Sequence, residues 1–102
     1  MSLEAFIEDP MYNATVDQEI RNRIKLAVYA YSYEFLNESV VCDGDFDALA
    51  LKIDLSVNTR RPDLDLWFRK QFQPDTGQWI HSHPELNKIA ELYKKYYAKA
   101  TS

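Results

Sequence analysis

Apolar side chains recur every three or four positions along residues 16–35, which is the spacing of one face of an α-helix. The residues of this face are Val16, Ile20, Ile24, Ala27, Val28, Tyr31 and Phe35. A capping box formed by Thr15 and Gln18 is expected to begin the helix. Asn37 tolerates the left-handed backbone of a helix end, so the helix is expected to stop after Leu36.

Three shorter segments show the same helical spacing, and they begin near Asp43, at Pro62 and after Ser82. Their apolar residues are Phe46, Leu49, Ala50 and Ile53, then Leu64, Trp67, Phe68 and Phe72, then Leu86, Ile89, Ala90, Tyr93, Tyr96 and Tyr97. Only two residues are Gly and four are Pro, which disfavours an all-β chain built from tight turns. We therefore predict an all-α fold, a compact bundle of about four helices with a helix-turn-helix corner at residues 37–43.

The segments outside these helices carry predictions of their own. Residues 73–77 form the clearest turn in the chain, and residues 78–81 are expected to be extended. Ser82 with Glu85 resembles a second capping box, and Cys42 is expected to fill the corner as a small buried group. A short docked helix is predicted from Leu3, Phe6 and Ile7, and the outer face of the first long helix is expected to carry Arg21, Arg23 and Lys25.

Length and charge limit the class of protein. The 102 residues are expected to form one domain, with a helical hairpin at 15–56 and additional helices at 62–100. The net charge of −4 does not favour a surface for duplex nucleic acid, which normally requires an excess of basic residues. The single cysteine excludes an internal disulfide, and no apolar run is long enough for a membrane span, so a cytoplasmic protein is expected.

The corner between the first two helices is predicted to bring aromatic rings close to carboxylates. Tyr33 lies near the end of the first helix, while Asp43, Phe46 and Asp47 lie at the start of the second, with Asp43 as its cap. Electron-rich rings attract a flat cation, and such a contact contributes about 0.5–2 kcal/mol. The same rings would also serve simply to pack the two helices together, so both interpretations stay open.

Residues 22–53 resemble the N-terminal helical subdomain of bacterial NAD-dependent DNA ligases. The shared pattern is Tyr31-Ser32-Tyr33, then nine residues, then Asp43-Gly44-Asp45-Phe46-Asp47. The resemblance covers about a third of the chain, and the nucleotidyltransferase motif Lys-x-Asp-Gly of these ligases is absent from the sequence. A small, free-standing, acidic relative of this kind is similar to accessory proteins of bacteriophages and prophages.

The resemblance implies recognition of the nicotinamide mononucleotide (NMN) half of NAD. It places Tyr33 and Phe46 near the nicotinamide ring, and Asp43 and Asp47 where the family has its acids. Glu34 stands where the family commonly has His, and the negative charge of this glutamate would repel phosphate. Without the nucleotidyltransferase lysine we expect no catalysis and no resident cofactor, and at most weak binding of NAD or NMN.

Two further sets of residues are candidates for function. Trp67, Trp79 and Tyr97 are predicted to anchor an unidentified protein partner, although large rings are equally suited to a small core. His81 and His83 would point to the same side of a strand, but a metal site needs a third ligand. No metal site is therefore predicted. The leading hypothesis is a small helical accessory protein that acts by protein–protein interaction, and the alternative is a weak nicotinamide nucleotide-binding module.

Overall fold

The computed structural model describes residues 14–97, which contain four α-helices, one 3-10 helix and no β-strand. The helices are α1 (Ala14–Leu36), α2 (Asp43–Lys52), α3 (Pro62–Gln71), the 3-10 helix (Gln78–Ser82) and α4 (Leu86–Tyr96). The predicted all-α fold is confirmed. The short helix predicted from Leu3, Phe6 and Ile7 lies outside the described residues.

Helix α1 is the centre of the fold, because α2, the 3-10 helix and α4 all contact it. Its apolar face follows the predicted spacing only in part, since Ile24 and Phe35 are each 42% exposed. The buried apolar core is formed by Leu26, Ala27, Val28, Ala30, Ala50, Phe68, Trp79, Ile80, Ile89 and Tyr93. The small side chains Ala27 and Ala30 let neighbouring elements approach the α1 backbone closely.

The predicted end of α1 is confirmed, but its predicted start is not. The helix ends at Leu36, and Asn37 takes the left-handed backbone conformation with φ of 53°. The N–H of Glu38 donates to the carbonyl of Ser32 at 3.0 Å and so satisfies one of the last carbonyls of the helix. Thr15 already lies inside the helix rather than before it, so the predicted capping box is wrong.

The corner that joins α1 to α2 spans residues 37–42. Cys42, not Asp43, is the N-cap residue of α2, and no side-chain hydrogen bond caps the helix. Asp43 is therefore the first helical residue, where its charge still lies near the positive end of the helix dipole. Cys42 is exposed, because it precedes the first turn instead of packing beneath it, so the prediction of a buried plug is wrong.

The segment before α4 also differs from its prediction. Residues 78–82 form a 3-10 helix instead of an extended piece. The Ser82 hydroxyl donates to the carbonyl of Trp79 at 3.2 Å, so it does not cap α4. The first turn of α4 is instead closed by the carbonyl of Glu85, which accepts from Lys88 and Ile89 at 3.0 and 3.1 Å.

An aromatic cluster fills the core between α3 and the 3-10 helix. The ring of Trp79 lies 5.8 Å from Phe68 and 5.3 Å from Phe72, and that of Trp67 lies 4.9 Å from Phe68, between centroids. The indole N–H of Trp79 donates to the carbonyl of Thr76 at 2.7 Å, which satisfies its polar atom inside the core. These contacts attach the 73–77 turn to the body of the protein.

Arg23 is the largest departure from the sequence-based predictions. It was expected on the solvated face of α1, but only 5% of its surface is exposed. Its guanidinium donates to Glu19 at 2.7 Å and to Asp65 at 2.8 Å, and it also reaches the carbonyl of Asp54 at 2.9 Å. The group lies 5.2 Å from the centre of the Phe68 ring. Arg23 therefore joins α1 to α3 and to the loop between α2 and α3.

The two carboxylates of this network are satisfied by further donors, as buried charges must be. Glu19 accepts from the backbone N–H of Asp54 at 3.0 Å. Asp65 accepts from the N–H of Thr59 at 2.8 Å and from its hydroxyl at 2.6 Å. Burial raises the pKa of the Asp65 carboxyl, but the donors from Thr59 and Arg23 outweigh it and hold that pKa below its usual value.

Candidate ligand-binding cleft

A cleft of about 410 Å³ opens at the corner between α1 and α2. Its walls are the C-terminal half of α1, the 39–41 connector, the first turn of α2 and the 75–78 segment. The volume lies within the range typical of small-molecule sites. All four residues that the sequence predicted as ligand contacts line this cleft, namely Tyr33, Asp43, Phe46 and Asp47.

The aromatic residues of the corner divide into packing residues and available ones. Tyr31 stacks on Phe35 at 5.2 Å and lies 5.9 Å from Tyr93, so its ring is used for packing. Phe46 is half-buried and packs against the core from one side. Tyr33 is 56% exposed and has no ring partner among the described residues. Tyr33 is therefore the ring most available to a ligand.

Tyr29 is a cleft residue that the sequence reasoning missed. It lies one helical turn before Tyr33 on the same face of α1, and this i, i+4 spacing was the signal that could have identified it. Burial, together with the hydroxyl of Tyr97 and the charge of Asp45, raises the pKa of Tyr29 to about 12.

Four carboxylates line the cleft, from three different segments. Asp43 and Asp47 lie on α2, Glu34 lies on α1, and Asp75 lies in the turn that precedes the 3-10 helix. Glu34 lies beside His81, whose Nε2 is 2.9 Å from its Oε1. No Lys, Arg or His is among the residues that line the described cleft. Its electrostatic field therefore favours cations.

Gly77 forms part of the cleft where the 3-10 helix approaches α1. A Cβ atom at this position would lie 3.3 Å from the Cβ of Ala30 and 3.6 Å from the Cζ of Phe46. Its φ of −101° is available to any residue, so space and not backbone conformation favours glycine here. The close approach keeps the wall that carries Asp75 against α1.

The three residues predicted to anchor a protein partner have different environments. Trp79 is 5% exposed and lies in the aromatic core, so the prediction that it forms a surface anchor is wrong. Trp67 is half-buried in the same cluster. Tyr97 is exposed and lies with Ile24 and Tyr96 on a shallow face between α1 and α4.

The two histidines do not face the same side. His81 pairs with Glu34, whereas His83 is buried, with its ring 4.8 Å from that of Trp67. The Nδ1 atom of His83 accepts from the N–H of Glu85 at 2.9 Å, and burial lowers the pKa of the ring. Within residues 14–97 no group of three or more side chains is arranged to hold a metal ion.

No protein-family model matches the chain, and neither curated proteins nor solved structures give a significant match. Of the helices in the described part of the chain, none has the length and apolar character needed to cross a membrane. The fold and the cleft define a small all-α protein with an acidic cleft that has aromatic side chains in its walls.

Proposed function

We propose that this chain is a non-catalytic accessory protein that binds the nicotinamide ring of NAD-related compounds in the corner cleft. The observation that carries the proposal is that Tyr33, Asp43, Phe46 and Asp47 all line one cleft. The resemblance to the ligase subdomain assigns nicotinamide recognition to the same four positions. The proposed role is to sense such a compound in the cytoplasm, or to act in trans with a larger enzyme.

The chemistry of the ring fits the chemistry of the cleft. Oxidised nicotinamide in a nucleoside is a flat pyridinium cation, so the exposed face of Tyr33 attracts it by stacking and cation–π contact. Carboxylates at Asp43 and Asp47 offset the positive charge and can accept hydrogen bonds from ribose hydroxyls. The cleft is open on one side, so we expect a dissociation constant on the order of 1 mM, about −4 kcal/mol.

The test compares two ligands that differ in ring charge. Isotope-labelled protein is titrated with oxidised nicotinamide riboside, which is cationic, and with its reduced form, which is neutral. We expect the oxidised form to shift the amide signals of the four cleft residues, and the reduced form to leave them in place. Spectra that do not change at several millimolar oxidised riboside would overturn the proposal.

A matched pair of variants separates the cleft from the rest of the surface. Tyr33→Ala removes an exposed ring from the cleft and should abolish the ligand-induced shifts. Tyr96→Ala removes an exposed ring from α4, outside the cleft, and should leave them unchanged; Tyr96 is 65% exposed. Both rings are largely solvated, so neither variant is expected to unfold the protein. Equal shifts in the two variants would exclude a role for Tyr33.

The second candidate function is the binding of a protein partner through the face between α1 and α4. The observation that favours it is the exposure of Ile24, Tyr96 and Tyr97 on one shallow surface. Capture from host lysate should be lost in Ile24→Ser and Tyr97→Ala. It should persist in Leu51→Ser, which changes a highly exposed residue of α2. Equal capture by all three variants would contradict this candidate.

A further inference from the structure

We infer that the cleft distinguishes the nicotinamide nucleoside from its phosphorylated forms, and that Glu34 and Asp75 determine this specificity. This inference rests on the proposed function, because it names the class of ligand that the same site accepts. The preferred ligand is a flat organic cation that carries ribose but no phosphate. NMN and NAD, which carry the same ring with one or two phosphates, bind more weakly.

The positions of the acids carry the inference. Acidic side chains line the cleft from three segments: Glu34 on α1, Asp43 and Asp47 on α2, and Asp75 in the turn. These carboxylates attract a pyridinium cation, whereas they repel the 5′-phosphate that NMN carries on its ribose. No lining side chain of the described cleft is a cation that could hold the phosphate.

We assign the discrimination against phosphate to Glu34 and Asp75. The other two carboxylates of the cleft, Asp43 and Asp47, belong to the four positions that the ligase resemblance links to the nicotinamide ring. Glu34 has a side chain that is only 18% exposed, so its charge is less screened than that of a surface carboxylate. Asp75 adds a carboxylate from the 75–78 segment to the lining of the cleft. His81, whose Nε2 lies 2.9 Å from the Oε1 of Glu34, is not among the residues that line the cleft.

The size of the effect follows from Coulomb's law. Two unit charges about 7 Å apart in water change an equilibrium constant by a factor of about three. A phosphate carries up to two charges and faces more than one carboxylate, so we expect at least about tenfold weaker binding of NMN than of the riboside at low salt. Because the effect is electrostatic, the ratio should shrink toward one as salt is added.

The experiment titrates the full chain with oxidised nicotinamide riboside and with NMN, at low and at high salt, and follows the amide signals of the cleft. Weaker binding of NMN with a salt-dependent ratio is the expected result. Riboside binding accompanied by equal or tighter NMN binding would overturn this inference and leave the proposed function intact. Failure of both ligands to bind would overturn the proposed function as well.

Two isosteric variants test the assignment to residues. Glu34→Gln and Asp75→Asn each remove one charge, and each should reduce the preference for the riboside at least about threefold, with at least about tenfold in the double variant. Glu91→Gln removes a charge from the exposed side of α4, away from the cleft, and should leave the preference unchanged. A preference that is the same in the double variant as in the original chain would exclude Glu34 and Asp75 as its source.

Discussion

Among the described residues, Arg23 is the only cationic side chain within hydrogen-bond distance of the buried carboxylates of Glu19 and Asp65. Replacing Arg23 by Met removes this positive charge. Breaking a buried ion pair from one side costs about 3–5 kcal/mol, because the remaining charge stays buried without compensation. The carbonyls of Asp54 and Val57 lose a donor as well. We expect a loss of about 4 kcal/mol in the free energy of unfolding.

That loss is large for a chain of this size. A 102-residue protein has about 5–15 kcal/mol of stability in total. At about 4–8 °C per kcal/mol, the melting temperature should fall by roughly 15–30 °C. Thermal and urea unfolding followed by circular dichroism measure both quantities.

Arg21→Met is the matched control, since Arg21 lies on the same helix with its side chain 71% exposed and pairs with the exposed Asp17. It should cost less than about 1 kcal/mol. The triple variant Arg23→Met, Glu19→Gln, Asp65→Asn should recover about half of the loss, because no buried charge remains. Equal stability of the Arg21 and Arg23 variants, or a triple variant no more stable than the single one, would refute this reasoning.

Three further predictions concern single groups. Burial lowers the pKa of His83, so its contribution to stability is complete above about pH 6.5 and is lost as the pH falls toward the depressed value. His83→Asn should flatten this pH dependence of the melting temperature, whereas His81→Asn should keep it. An unchanged pH dependence in His83→Asn would contradict the assignment. The pKa of Tyr29 near 12 predicts a late tyrosinate step in ultraviolet absorbance, and a loss of stability as the pH rises above about 10. The hydrogen bond to Glu38 raises the pKa of Tyr93 as well, so Tyr29→Phe should reduce the amplitude of the late step without removing it, and an unchanged amplitude would contradict the assignment to Tyr29. Asn37 has a positive φ, so Asn37→Gly should raise the free energy of unfolding by a few tenths of a kcal/mol, and Asn37→Ala should lower it by about 1 kcal/mol. Urea unfolding measures both changes, and the opposite order would contradict the left-handed cap.

The helices could be predicted from sequence because helix formation depends on neighbours three or four residues away. This is why the end of α1 at Leu36, the start of α3 at Pro62 and the start of α2 at Asp43 agree with the predictions. Helix starts that depended on a side-chain cap were less predictable. Ser82 forms a hydrogen bond within the 3-10 helix that competes with the capping role.

The cleft was partly predictable for the same reason. Tyr33 and Phe46 belong to two helices joined by a short connector, so local spacing brings their segments together. Asp75 lines the cleft from a turn that is distant in sequence from α1 and α2. The residues around that turn do not indicate that it lies beside the corner of these two helices. Trp79 shows the same limit, since a large ring serves a core or an interface equally well until its neighbours are known.

The pattern of residues by itself determined that this chain is helical and where its helices turn back at the corner. Only the tertiary structure decided which charged residues are buried. Arg23 lies 42 residues from its partner Asp65, and its place in α1 resembles that of any solvated arginine. A charge can be buried only where distant groups neutralise it and complete its hydrogen bonds, and such groups come together only when the whole chain has folded.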